Sequence, residues 1–459
     1  MPRLSGIAAL LLAGFLLYSC GGESASEPPP PPAASTWEAI QSRILSPKCA
    51  AACHTAGTSF ARQSDLVLTP DVAYEQLVNR TPNNQAANDD GLLLVGTKGL
   101  ESLSTSFLWE KINAPNQSHF YDSHPFYGAI MPLGSDVLTN GELKLIEEWI
   151  VAGAPKEGLV ADEALLEDET RFDLPPFAPL TPPANGVQFH LGPFTVAPNY
   201  EREVFSYAPL ETTEDLLINE IEIVMSPGSH HFLVYTFSNS IPSRVIPEPN
   251  VLRDLRNENG EYIIDNILPM RYHRFTMGTQ WPVMNYRFPP GVALRVPHLG
   301  GLDLNSHYAN RSGEAMTGEI YLNIHYAEPA LVEHVAEMMF LEDEDFVLPA
   351  FRRTTIKRSF PFFEERHIFQ LFSHAHETME EFRVYIGGGE RDGELVYFAK
   401  DWEHPPILEL DPPLVIGNAQ GNEGLRVEVT YNNTTNRDLR FGLLSEDEML
   451  ILMGYYYVD

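Results

Sequence analysis

Cysteine is nearly missing from this chain: its 459 residues include three, at positions 20, 49 and 53. Everything after Cys53 must fold without a disulfide, which excludes a small disulfide-stapled scaffold. Positive charge is scarce too. Lys and Arg number 30 against 63 Asp and Glu, a formal net charge of −33, and so acidic a surface repels phosphate backbones. Nucleic acid is therefore excluded as a partner. Long apolar runs are also lacking, since Ile7 to Leu17 is about half of what a bilayer-spanning helix needs. What is present suffices for buried cores: 44% hydrophobic residues, with 25 Phe, 19 Tyr and 5 Trp, is not the composition of a disordered chain. Single cores stop growing near ~250 to 300 residues, so this length predicts several domains.

At the N-terminus Arg3 precedes the apolar run, and Leu17-Tyr18-Ser19-Cys20 closes it with a small residue, the pattern of a secretory leader. The tetrad resembles the bacterial lipobox. That resemblance implies cleavage before Cys20, a lipid on its sulfur and attachment to a membrane of the bacterial cell envelope, facing the periplasm or the outer surface. An ordinary signal peptide with an incidental cysteine is the alternative. GGESASEPPPPPAAST follows, a stiff extended spacer, so residues 1–36 read as leader and spacer.

Residues 37–156 carry helical signals. Ser35 with Glu38 is a capping pair, and Trp37, Ile40 and Ile44 recur at helical spacing until Pro47. Thr69-Pro70 opens a second helix, and Thr139 with Glu142 caps a third that ends at Gly153. Cys49-Ala50-Ala51-Ala52-Cys53-His54 is the haem c attachment pattern with one extra residue: two thiols for the vinyl groups and a His for the iron. A small disulfide loop is the rival reading of the two cysteines. Together with Ser106-Phe107-Leu108, Lys111, Met131-Pro132 and the closing WIVAGA, the segment resembles bacterial periplasmic cytochrome c domains. The resemblance implies one haem c, attached at Cys49 and Cys53 and ligated by His54 and Met131; His119 and His124 are rival distal ligands. His/Met ligation suits an electron carrier.

Residues 157–186 are acidic and then proline-rich, an interdomain linker. Beyond them short Val/Ile/Phe/Tyr runs alternate with Gly, Pro and Asn clusters, for example in 203–207, 217–221, 232–235, 382–386 and 425–429. This predicts antiparallel β-sandwiches, two in series. The expected fold is an all-α domain followed by two jelly-roll-like antiparallel sandwiches, at 187–345 and 346–459.

Two histidine clusters stand out. His230-His231 opens a strand, where neighbouring side chains face opposite ways, so both reach one metal only if the strand starts irregularly; Pro227-Gly228 permits that. His374-Ala375-His376 places two imidazoles at i and i+2, on one face of a strand. His307-Tyr308 and Glu446-Asp447-Glu448-Met449 follow the same kind of strand context. The order HH, HY, HxH, DEM with the closing Tyr455-Tyr456-Tyr457 resembles the copper type II, ascorbate-dependent monooxygenases, which include peptide-amidating and dopamine-hydroxylating enzymes. It implies two copper ions: one on His230, His231 and His307, with His325 as alternative third ligand, and one on His374, His376 and Met449, where O2 would bind. Two imidazoles and a thioether favour Cu(I). The family's carboxylate-gripping positions read Phe372, Ile451 and Met453 here, which makes a terminal glycine an unsuitable substrate and a neutral or apolar one the expectation.

The expected activity is hydroxylation of an aliphatic or benzylic C–H bond of a small molecule with O2. Electrons would come from, or through, the haem, with ascorbate or another cytochrome as donor. A non-enzymatic copper- and haem-binding electron-transfer protein is the alternative.

Overall fold

The computed structural model describes residues 33–51, 53–116, 123–298, 300–402, 405–442 and 447–459. Cys20, most of the leader and spacer, and His119 lie outside them. The chain begins with helix Thr36–Ile40, capped by Ser35 Oγ accepting from Glu38 N at 3.1 Å. The sequence predicts a stop at Pro47. Instead the helix widens to an i→i+5 ladder over Gln41–Ala50 and passes through the proline. Proline has no N–H to give and crowds the carbonyl four residues back, and the wider turn accommodates it, with Ala51 N→Ser46 O at 3.1 Å and His54 N→Cys49 O at 3.0 Å. This turn delivers the chain into the cysteine loop.

Helices Ser59–Ser64, Ala73–Leu77, Gln85–Asp89 and Phe107–Ile112 follow, and Asn140–Val151 closes the unit. Thr139 and Glu142 form the reciprocal capping box, and Gly153, at φ 89, ends the helix in the left-handed region. Its buried face, Leu143, Ile146, Trp149 and Ile150, fills the centre of this core. Trp149 lies 5.2 Å from Trp37, ring to ring, and its indole N–H donates to Pro155 O at 2.9 Å. The acidic half of the linker packs back here through a short 3-10 turn, Glu163–Glu167, with Leu165 and Leu166 against the core. From 172 to 185 the chain has neither helix nor strand. Among the described residues no helix is long and apolar enough to cross a membrane.

The remainder is β-sheet folded into sandwiches that resemble jelly rolls. Its strands are β1 Gly186–Val196, β2 Tyr200–Ala208, β3 Leu216–Met225, β4 Ser229–Phe237, β5 Leu252–Asp254, β6 His273–Thr279, β7 Val283–Arg287, β8 Val292–Val296, β9 Leu302–Asn310 and β10 Met316–Tyr326. Then come β11 His334–Glu342, β12 Val347–Leu348, β13 Arg352–Pro361, β14 Arg366–His374, β15 Met379–Gly388, β16 Leu395–Ala399, β17 Leu408–Ile416, β18 Glu423–Asn433, β19 Leu439–Arg440 and β20 Ile451–Tyr457. A five-stranded sheet, β5-β2-β9-β4-β6, faces β1-β10-β3-β8 over a core that includes Val204, Phe232, Ile221 and Leu322. A four-stranded sheet, β13-β18-β15-β16, faces β20-β14-β17 over Phe382, Val427, Ile368 and Leu452.

The two sandwiches are not simply in series. One nine-stranded sheet runs through both, and β11 is its junction. Its first residues, His334–Ala336, pair in parallel with β8, and Glu337–Glu342 pair antiparallel with β20. Tyr455 adds a side-chain tie, its hydroxyl donating to Thr276 O at 2.9 Å.

The helical unit sits against both sandwiches. Gly134, at φ 64, lets its loop lie on β9: a Cβ there would meet Ala309 O at 1.9 Å, and Arg311 N donates to Gly134 O at 2.7 Å. Phe126 meets Trp281 edge to face at 5.8 Å, and Arg62 pairs with Glu377. Trp149→Ala should destabilise the helical unit by about 3–5 kcal/mol through the cavity it leaves. Denaturant unfolding followed by circular dichroism would show the helical transition moving to lower denaturant, with the β transition in place.

Candidate metal centres

His230, His231 and His307 converge. A ligand nitrogen from each lies within 4.8 Å of those of the others. The means is a β-bulge: β4 pairs with β9 as Ser229↔Tyr308 and then His231↔His307, so His230 is the extra residue that re-aims the strand start. Neighbouring histidines thereby share a side, as the irregular Pro227-Gly228 entry permits. Gly228, at φ 90, makes that entry.

The surrounding groups orient these rings. Asn305, two residues before His307 on the same face of β9, accepts from His231 Nε2 at 3.1 Å and donates to Glu203 Oε1 at 3.1 Å. Glu201 Oε2 faces His307 Nε2 at 3.4 Å. In both rings Nδ1 is then the atom presented to a metal, with the partner on Nε2 setting the tautomer. Burial pulls His231 down to about 4. Burial is the strongest single influence on His307 and acts the same way, but the bond to Glu201 and the charges of Glu203 and Glu201 together outweigh it and hold that ring above its ordinary value. Neither Glu201 nor Asn305 stood out in the sequence; the readable signal was the alternation Glu201, Glu203 opposite Asn305, His307.

His325 is elsewhere. It lies on β10 with Nε2 2.7 Å from Glu222 Oε2, in a second group of converging ligand atoms with Glu220 and Glu222. Arg287 already pairs with Glu220 there.

His374 ends β14, but His376 does not continue the strand: it lies in the turn beyond. The i, i+2 argument therefore does not describe how the pair meets. Glu448, fully buried, does the positioning. Its carboxylate accepts from His376 N at 3.0 Å, Thr378 N at 2.8 Å, Thr378 Oγ1 at 2.6 Å and Met449 N at 3.3 Å. One side chain thus ties the His376 turn to the segment carrying Met449, and burial lifts its carboxyl to about 7 against those hydrogen bonds. His376 Nδ1 donates to Asp447 O at 3.0 Å, leaving Nε2 for a metal. The rings of His374 and His376 are 5.3 Å apart, and burial takes His374 down to about 3.

All six residues line one cleft of ≈ 920 Å³ between the sandwiches. Phe275, Phe372, Ile451 and Met453 line it too, and Phe60 of the helical unit reaches it, its ring 6.2 Å from that of His230. The sequence-predicted carboxylate-free positions are therefore in the cleft wall.

In the helical unit Cys49 and Cys53 are free thiols, and burial raises both, Cys49 to about 12. The disulfide reading is not what is seen. His54 Nδ1 faces Leu66 O at 3.2 Å and Ser64 Oγ at 3.3 Å, contacts that leave its Nε2 uninvolved. Met131 packs partly against the helical core and is anchored by its N–H to Lys111 O at 2.6 Å. His124 instead stacks on Tyr127 at 4.3 Å.

No protein-family model matches the chain, and no curated protein matches it. Among solved structures it is similar to the STIV MCP, at TM-score 0.26 and 9% identity over 60% of this chain and 97% of that one. It is also similar to the major capsid protein P2 of bacteriophage PM2, at TM-score 0.23 and 8% identity over 60% and 98%. A third is PNGF-II, at TM-score 0.24 and 10% identity over 60% and 66%. Values this low carry no relationship in function.

His307→Ala should remove one bound divalent metal per chain, whereas His325→Ala should leave that centre's occupancy unchanged; metal analysis after dialysis decides. In the metal-free protein His231, His374, His376 and His54 all lie below their ordinary value, so the unfolded chain takes up protons first as pH falls. His307 works with the opposite sign. The contribution of these four histidines should therefore be full above about pH 6.5 and fall between there and the values near 4 and 3, partly offset by His307 and by Glu448, whose raised carboxyl is protonated first in the folded state; in Glu448→Gln, which removes that offset, the melting temperature should decline more steeply over this range.

Proposed function

We propose that this protein is a copper-dependent monooxygenase that hydroxylates a C–H bond of a small, uncharged organic molecule with O2, with electrons arriving through a c-type haem on the helical unit. The observation that carries the reading is the pairing of unlike donor sets in one cleft: three imidazoles on one wall, two imidazoles with Met449 nearby on the other. A protein that only stores copper has no use for two different sites.

The residues fit copper. His231 and His374 are neutral at any pH near 7, as metal ligands must be, and Asn305, Glu201 and Asp447 O fix their neighbours' ring orientation. Bound copper would supply one-electron storage at the first centre and contact with O2 at the second, softer one. The chain's own part is to hold the two centres on facing walls, keep the second beside apolar side chains, and exclude a carboxylate through Phe372, Ile451 and Met453. In the helical unit Cys49, Cys53, His54 and Met131 would hold the haem, which would supply electrons one at a time. Phe60 of that unit, which lines the cleft with its ring 6.2 Å from that of His230, supports entry at the first centre. Attachment through Cys20 would keep the molecule on a membrane.

The test is O2 uptake by copper-loaded, pre-reduced protein with neutral aromatic and aliphatic substrates, and mass spectrometry for product. Met449→Ala should abolish coupled hydroxylation while leaving the three-histidine site loaded. Oxygen consumption with no oxygenated product would sink the reading. Cys49→Ala with Cys53→Ala should remove the c-type bands from the reduced-minus-oxidised spectrum.

A further inference from the structure

We propose that Arg311 and Glu201 form a connection through which the helical unit positions His307, so that the first metal centre responds to the loop that follows Met131. The inference rests on the reading above for its redox purpose, but its geometry stands on its own. Arg311 lies just past β9 and has two roles. Its main-chain N–H donates to Gly134 O at 2.7 Å, three residues after Met131. Its guanidinium pairs with Glu201 Oε1, while the other carboxylate oxygen, Oε2, faces His307 Nε2 at 3.4 Å.

Each contact fixes the next. Gly134 has no room for a Cβ against Ala309 O, so the loop and the end of β9 move together or separate. A carboxylate that shares its two oxygens between a guanidinium and an imidazole transmits a shift of one to the other. The Cys53 thiol feels the same two charges, Arg311 and Glu201, which places the cysteine loop beside the connection as well. At the second centre the helical unit reaches Glu377 through Arg62, a side-chain pair exposed at 39% and 38%, against 26% and 43% for Arg311 and Glu201, so solvent screening acts on both pairs. What singles out His307 is that Arg311 joins a main-chain bond to Gly134 with the ion pair to Glu201, the carboxylate that faces this histidine. Glu201 is a positioning residue and Arg311 its anchor, and by linkage a change at either end alters the other.

The full chain titrated with Cu(II) and read by electron paramagnetic resonance tests this. Glu201→Gln should lower Cu(II) affinity at the first centre by about 10–100-fold and change its hyperfine splitting, with the His374–His376 signal unmoved. Gly134→Ala, made in the helical unit, should shift the same first-centre signal. Arg311→Met should shift it too, and the double variant should show no more than Arg311→Met alone. Arg311→Lys should restore part of the wild-type signal. Equal melting temperatures would show that the variants fold. A first-centre spectrum unaltered by Gly134→Ala, or additive shifts in the double variant, would overturn the coupling even if hydroxylation were found. Failure of hydroxylation with the predicted shifts would overturn the function and leave the coupling standing. No Cu(II) signal from His230, His231 and His307 would overturn both.

Discussion

The structure depends on the hydrogen bonding of β11. By pairing with β8 on one side and β20 on the other, this strand makes two sandwiches into neighbours with a fixed separation. The cleft is the space left between them, and both histidine centres open into it. A flexible joint at this point would leave each sandwich with its ligands but no defined distance between them. Backbone ladders hold that distance more rigidly than side-chain contacts do.

Within that frame each centre is built by a departure from regular structure. His230 reaches the side of His231 because β4 bulges, and His376 meets His374 after β14 has ended. Both departures leave polar groups to be satisfied, and a buried carboxylate or amide does so. Asn305 serves the first centre and Glu448 the second. These partners order the histidines in advance, which would lower the cost of binding a metal.

Much of this was legible in the chain, because period-two alternation survives wherever one face is buried. The runs at 203–207, 217–221, 232–235, 382–386 and 425–429 all lie in strands, and the capping box at Thr139 is present as read. The need for an irregular start at His230-His231 could be argued from Pro227-Gly228. What escaped was set by distant parts of the chain. Nothing local says that β11 pairs across two sandwiches, or that Glu201 lies against a histidine more than a hundred residues later. The extension of the first helix through Pro47 escaped because a tight turn was assumed where a wide one forms. The metals, the haem and the reaction are proposals that rest on the resemblance of the cysteine, histidine and methionine motifs to known families, with the donor chemistry of the site in support.

One property of this scaffold bears on how it can be handled. No sulfur bridge holds the sandwiches, since the chain has no cysteine beyond Cys53, and Cys49 and Cys53 are free. Dithionite or thiol reductants would therefore reach any metal held at these histidines without breaking a covalent bond of the framework around them. A redox titration of the metal-loaded protein would report the oxidation state of the metal alone, with no disulfide in the sandwiches to titrate beside it.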